Sequence, residues 1–296
     1  MKNNFYFIFL IFISYFNYAQ NVIVFDSLNK YNIPYVAIQY EKNGLYTDEK
    51  GVFKLIEITS DSLFINHYGY NSLKLAKKNL KDTIYLKPIV QKLEEVLIKN
   101  KYKTIVIKQP KSTRFNGDFP ISKKTEIISI VIPEKNIKNS IIKEISFKIK
   151  KLNKSEIPEN IEDKWSAVLR INIYNIENGL PVENIFSSEP KTINVLNDNN
   201  IILAIEKEYI KIPYEGLGFG IEFIGTANNN VNEISFIRPA LTSKESNNDM
   251  TFKSILRFTL DKSKTIIYID KFNQEHIQNT PKNIGKNLKM GFVFLK

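Results

Sequence analysis

The chain has 296 residues, 43% of them apolar and 12% aromatic, with a formal charge of +11, no Cys and two His. That apolar content is enough for real cores and excludes a disordered chain. The missing Cys excludes disulfides, Cys-based zinc sites and thiol nucleophiles. The cations are nearly all Lys, with Arg only at 114, 170, 238 and 257, and they are spread along the chain. Readers of bases and phosphates favour the planar fork of Arg, so the charge does not point to nucleic acid.

Residues 1–19 read as a signal peptide. A polar start with Lys2 leads into an apolar run from Phe5 to Phe16, broken only by Ser14, and Asn17-Tyr-Ala-Gln20 turns polar. The run is shorter than the roughly 20 residues needed to span a bilayer, so it reads as a removable leader with Ala19 the last residue lost. Its removal would leave no membrane span.

Residues 20–98 read as one small β-domain. Val22–Asp26 is a strand ending in an Asp that can cap a turn. Ile33-Pro34 opens a second strand running to Tyr40, and Asn43-Gly44 reads as a hairpin turn, since both residues tolerate positive φ. Thr47-Asp48-Glu-Lys-Gly51 is a second turn, with Asp48 binding backbone amides and Gly51 in the left-handed region. Strands Val52–Leu55 and Ser62–Asn66 follow, then a Gly69-Tyr70 turn with Tyr70 as a core plug. Leu75–Leu80 is a brief helical candidate, and Asp82–Leu86 and Leu93–Ile98 complete about seven strands.

This ordered set resembles the carboxypeptidase-like regulatory domains of exported Bacteroidota proteins. The matching positions are Val24 and Asp26; Pro34, Val36 and Ala37; Thr47, Asp48, Gly51 and Phe53; Gly69 and Tyr70; and Leu93, Glu95 and Val96. The Gly usual in the family's first strand is missing and the loop before Gly44 is short. The resemblance covers about residues 21–98. It implies a transthyretin-like seven-stranded sandwich that acts as an accessory module with no catalytic residues of its own.

Residues 99–117 read as a linker, rich in cations, with a candidate edge strand at Thr104–Ile107. Residues 118–296 read as a second, larger antiparallel sandwich. Ile145, Phe147 and Ile149 share one strand face; Leu169, Ile171 and Ile173 share another, with Arg170 and Asn172 outside. Leu217, Phe219, Ile221 and Phe223 alternate with Gly218, Gly220 and Glu222, and Phe252, Ser254, Leu256 and Phe258 alternate with Lys253, Ile255 and Arg257. Phe292 and Phe294 close the chain, and Glu156–Asp163 is a second short helical candidate. Ala167–Tyr174, Asn178–Pro181 and Gly218–Phe223 resemble the sandwich that often follows this module, with a jelly-roll-like look. Lys148, Lys150, Arg170 and Arg257 are expected on outward faces.

Catalytic patterns are lacking. His67 and His276 have no Glu three residues on, and no Gly-x-Ser-x-Gly elbow exists. Gly216-Leu-Gly-Phe-Gly220 lacks the Lys-Ser/Thr and helix of a phosphate loop, so it reads as close sheet packing. Among many acidic residues nothing singles out a glycosidase pair. Asn197–Asn200 and Ser246–Asp249 could offer calcium oxygens but read as solvated turns, and Trp165 could stack on a sugar but reads as packing. The expectation is an all-β, exported, non-enzymatic binding or structural module of the cell envelope, without cofactor, metal or catalytic residues. Its location is periplasmic, outer-membrane associated or extracellular. Its partner is an envelope protein or a glycan, with the ligand-binding residues unknown. The alternative is an accessory glycan-binding protein whose site lies on the larger sandwich.

Overall fold

A computed structural model describes residues 21–41, 43–89, 102–111, 117–122, 125–153, 155, 166–225, 236–258, 266–269, 275–278 and 286–296. The described residues are strand and turn, with short 3-10 turns and no α-helix among them. The chain divides into two units, Met1–Ile89 and Val90–Lys296.

In the first unit the strands are β1 (Asn21–Asp26), β2 (Ala37–Tyr40), β3 (Asn43–Tyr46), β4 (Val52–Lys54), β5 (Ser62–Asn66), β6 (Leu73–Ala76) and β7 (Thr83–Leu86). They form a three-stranded sheet, β4-β1-β7, and a four-stranded sheet, β3-β2-β5-β6. Alternation decides what each strand buries. Val22 and Val24 of β1 join Phe53, Ile84 and Leu86 in one core with Ile38, Tyr40, Leu63 and Ile65 of the other sheet. All ladders here are antiparallel except β1 with β7.

Three local expectations are corrected. The Asn43–Gly44 pair lies inside β3, opposite Tyr40 and Gln39. The turn falls before it, where Glu41 takes φ 48°. Pro34 does not open a strand; Tyr35 takes φ 53°, and β2 starts at Ala37. Leu75–Leu80 is not helical as a whole, because β6 pairs with β5 through Ala76 and only a 3-10 turn, Lys77–Asn79, follows. Edge pairing outweighs weak local propensity over so few residues. Leu93–Ile98 and Glu156–Asp163 lie outside the described residues.

The second unit contains β8 (Thr104–Ile107), β9 (Gly117–Asp118), β10 (Ile121–Ser122), β11 (Thr125–Pro133), β12 (Ile141–Lys148), β13 (Ser166–Glu177), β14 (Leu180–Ser187) and β15 (Lys191–Asn194). It continues with β16 (Asn200–Ala204), β17 (Leu217–Phe223), β18 (Phe236–Ile237), β19 (Ala240–Thr242) and β20 (Met250–Phe258). The last strands are β21 (Ile266–Ile269), β22 (Glu275–Gln278), β23 (Asn287–Leu288) and β24 (Met290–Leu295). An eight-stranded sheet runs β14-β13-β17-β11-β20-β21-β22, with β15 also on β13. A four-stranded sheet runs β16-β12-β24-β8, so Thr104–Ile107 is an edge strand of this unit and the sheet begins inside the stretch read as linker. Strands β23-β19-β9 and β10-β18 form smaller sheets.

The two large sheets pack face to face. Phe219 of β17 meets Phe292 of β24 edge-on at 5.1 Å between ring centres, and Phe292 stacks on Phe294 at 5.4 Å. Ile127 and Val131, Ile171 and Ile173, and Ile145 and Phe147 complete that core. Strand β11 is buried on both faces, since Ile128 and Ile130 are buried as fully as Ile127 and Val131. Its apolar run therefore shows no alternation.

Candidate functional site

The second face of the eight-stranded sheet carries a polar layer. Its central strands are in register: Glu126 lies opposite Glu222, Arg170 opposite Glu222, and Asn172 opposite Gly220. Because side chains alternate along strands, Glu126, Arg170, Asn172, Tyr174 and Glu222 share the face turned away from the Phe219–Phe292 core. Glu126 is 0% exposed, Asn172 2% and Arg170 7%. The period-2 reading placed Arg170 and Asn172 correctly on the face opposite the core but took it to be solvated; both are buried, and that expectation is corrected.

Burial of two carboxylates is offset by donors at close range. The Asn172 amide donates to Glu126 Oε1 at 2.8 Å and to Glu222 Oε2 at 3.0 Å. The Tyr174 hydroxyl lies 3.0 and 3.1 Å from the two oxygens of Glu126. Ser187 of β14 donates to Asn172 Oδ1 at 2.5 Å, which orients the amide so that its NH2 faces the carboxylates. Arg170 Nη1 stands 3.8 Å from Glu222 Oε2. A buried network of this kind is stable only when its members are satisfied.

Glycine makes the space. A Cβ on Gly220 would overlap the Glu126 carboxylate, whose Cδ would stand 2.7 Å away. One on Gly218 would stand 3.2 Å from Ile128 Cγ2 and Ile176 Cδ1. The reading of Gly216–Gly220 as close sheet packing holds, with Gly216 at φ 86° before β17.

The other singled-out residues are placed as follows. His67 is half-buried, edge-on to Tyr70 at 5.3 Å. His276 lies on β22 opposite Tyr268, its side chain outside the described residues, as are Trp165 and the Arg257 side chain. In Asn197–Asn200, Asp198 accepts the Asn194 N–H at 2.7 Å, and Asn194 Oδ1 accepts from Leu196 and Asn197. In Ser246–Asp249, Asn247 Oδ1 accepts the N–H groups of Asp249 and Met250, and Asp249 accepts from the Asn136 amide. Asp198 Oδ2 and Asn247 Oδ1 are thus engaged by their own turns, and Asp249 Oδ1 by Asn136. No group of three His, Asp or Glu gathers among the described residues. Lys148 is half-buried, and Lys150 is exposed and paired with Asp118 at 2.9 Å.

Glu126, Tyr174, Ser187 and Glu222 were not singled out as a set. The available signal was a lone Glu at the head of an apolar run, beside a strand whose alternate positions are Gly218, Gly220 and Glu222.

In the first unit a second polar group closes one end of the sandwich. Asp26 accepts the N–H groups of Leu28 and Asn29 at 2.6 and 2.8 Å and the Tyr70 hydroxyl at 2.9 Å. Tyr31 and Tyr70 hydroxyls lie 3.0 Å apart. The Asn29 N–H chiefly, with Leu28 and Tyr70, holds the Asp26 carboxyl below its usual range against the opposing effect of burial. Burial, then Tyr31 and Asp26, push the Tyr70 phenol upward.

The fold and site define an all-β protein of two strand-built units. No protein-family profile matches the sequence, and no curated protein matches it. Among solved structures, the chain is similar to the cysteine protease and lectin-like domains of Cwp84, a surface layer associated protein of Clostridium difficile, with 11% identity and a TM-score of 0.34. The match covers 63% of this chain and 37% of that one. A likeness at that score carries no argument for fold or function. No helix among the described residues is long and apolar enough to cross a membrane.

Proposed function

We propose that the chain is an exported, non-enzymatic binding module of the cell envelope, with a carboxypeptidase-like regulatory domain at its N-terminus and the ligand carried by the larger unit. The observation that supports the non-enzymatic reading is the shared Asn172 amide. Glycosidases place two carboxyls across a substrate, one holding a proton and the other free to face water or the sugar. Glu126 and Glu222 face each other in register, and both are bound to one amide of their own sheet, with Tyr174 also on Glu126. At Gly220, beside Glu126, there is no room for even a Cβ. The layer therefore stiffens the sheet instead of opening to a substrate.

Export rests on the Phe5–Phe16 run and Ala19. N-terminal sequencing of the protein from an envelope fraction should start at about Gln20, and an intact Met1 there would defeat the export reading. A panel of peptidase and glycosidase substrates should show no turnover by the purified protein.

A second reading, glycan binding, has one observation in its favour. Tyr214 of the larger unit is 59% exposed, with the Lys138 ammonium 4.3 Å from its ring centre. An exposed ring with a cation on it is a surface for an acidic sugar.

A further inference from the structure

Strand β8 ends its sheet, pairing with β24 on one side only among the described residues. Beyond the strand, Lys103 and Lys296 exchange both N–H···O bonds, at 2.8 and 3.0 Å. Such exchanges recur at every second residue of an antiparallel ladder. Lys103, Ile105 and Ile107 therefore bond to β24, and Thr104 and Val106 aim their N–H and C=O groups away from it. No hydrogen bond joins those outward groups to another described residue. The side chains alternate in step. Ile107 belongs to the core and Ile105 packs against it, whereas Thr104 and Val106 take the outer face. Val106 is 59% exposed and lies opposite Val293. Lys103 and Lys108, both exposed, flank the strand.

Two other edges of the same unit are blunted. The Ile205 N–H donates to the Lys143 carbonyl, so Ile202 of β16 aims its own carbonyl away from β12, and there the Lys191 ammonium caps it at 2.6 Å. Strand β14 is broken by two register shifts against β13, and Asn184 Oδ1 takes the Phe186 N–H at 3.0 Å. Bulges and overlying lysines are how sheets resist further pairing. The ladder of β8 with β24 has no register shift, and its Thr-Ile-Val-Ile run is of the β-branched kind that accepts another strand.

Charge decides the occupant. A second copy of this edge, running antiparallel, would gather one Lys103 and one Lys108 at each end of the new ladder; running parallel, it would set like lysine beside like. Like charges facing across strands oppose pairing. A strand with carboxylates at those ends is attracted instead.

We infer that β8 is a docking edge that takes an extended segment of another protein, acidic at both ends and apolar at the residue facing Val106. The segment adds a fifth strand to the β16-β12-β24-β8 sheet. Main-chain bonds to Thr104 and Val106 supply affinity, and Val106, Lys103 and Lys108 supply selectivity. This deepens the binding-module reading, on which it rests, by naming the chemistry of the partner.

The test uses the full mature chain and fluorescent octapeptides read by anisotropy. One alternates Thr and Val between terminal glutamates. A second carries lysines in place of the glutamates, and a third is the first with its valine amides methylated. The first should bind wild type about tenfold more tightly than the second, and less tightly in high salt. The third should not bind. Lys103→Glu with Lys108→Glu should reverse the preference between the first two. Val106→Pro removes an outward N–H that the ladder does not use, so the melting midpoint should stay at the wild-type value while affinity falls about tenfold. If that variant lowers the midpoint, the double lysine variant decides. Binding of the methylated peptide as tightly as the first, or an unchanged preference in the double variant, would overturn strand addition. Dimerisation of wild type that Val106→Pro abolishes would give the edge to a second copy and overturn the acidic partner. Failure of all three peptides would overturn the docking edge alone; turnover of the peptidase or glycosidase panel would defeat the module reading instead.

Discussion

The Tyr70 hydroxyl donates to Asp26 Oδ2 across 2.9 Å, joining the end of β1 to the turn that follows β5. Asp26 ends β1 of the three-stranded sheet, and Tyr70 lies in the turn between β5 and β6 of the four-stranded one, 44 positions on in the chain. Gly69 at φ 85° lets the chain turn so that Tyr70 reaches inward, and Tyr70 then pairs with Pro88 in a single bridge beyond β7. The Gly-Tyr pair therefore acts through geometry: the glycine sets the turn and the tyrosine ties the sandwich shut.

Tyr70→Phe should lower the melting midpoint of the first unit, since Asp26 loses a donor in a buried setting. The effect depends on pH at both ends. The Asp26 carboxyl is depressed in the folded state, so its contribution is present above the ordinary carboxylate range and is lost as pH falls through the folded value. The Tyr70 phenol is raised, so its contribution is complete below the ordinary tyrosine value and declines as pH rises past it. Thermal melts across pH should show wild type and Tyr70→Phe differing most near neutrality. A constant difference from strongly acid to strongly alkaline pH would contradict the linkage.

The two glycine turns of the first unit should respond unequally to alanine. A Cβ on Gly51, at φ 73°, would stand 2.8 Å from the Ile33 carbonyl oxygen and 3.1 Å from that of Val24. Gly69, at φ 85°, has nothing within 4 Å of such a Cβ. Gly69→Ala should cost about 1 kcal/mol, the left-handed conformation alone. Gly51→Ala adds overlap with fixed backbone and should cost more than about 2 kcal/mol. Urea melts of the two variants measure the difference, and equal midpoints would contradict the packing at Gly51.

In the larger unit, Gly220→Ala should be among the most damaging small substitutions. Its methyl takes the place of the Glu126 carboxylate, which then loses Asn172 and Tyr174. Asn172→Leu removes the donor common to both carboxylates. Each change should cost at least about 3 kcal/mol, the range for a buried charge stripped of partners. A midpoint within a degree or two of wild type for either variant would show that the layer opens to water.

Much of the first unit was legible because its turns are written in local chemistry. Thr47 accepts the Val36 N–H at 2.8 Å, Asp48 accepts those of Lys50 and Val52 at 2.9 and 2.7 Å, and Gly51 is left-handed, as the Thr-Asp-x-x-Gly spacing suggested. The Gly216–Gly220 packing was legible from its alternation. Strand β11 was not, because a strand covered on both faces loses its period. The burial of Arg170 and Asn172 was illegible for a related reason. Alternation reports which face a residue takes, and only the packing of the sheet reveals whether that face meets water. The hairpin at Asn43–Gly44 slipped because Glu41 accepted a positive φ one step earlier, which pairing with β2 rewards and dipeptide preference does not encode.

The central claim is that the polar layer holds the larger sandwich together and performs no chemistry. Product analysis of saccharides incubated at length with wild type, Glu126→Gln and Glu222→Gln, each with its melting midpoint, tests it most directly. The account predicts intact saccharides in all three incubations, with lower midpoints in the two variants. Cleavage by wild type that either variant abolishes while keeping the wild-type midpoint would contradict it.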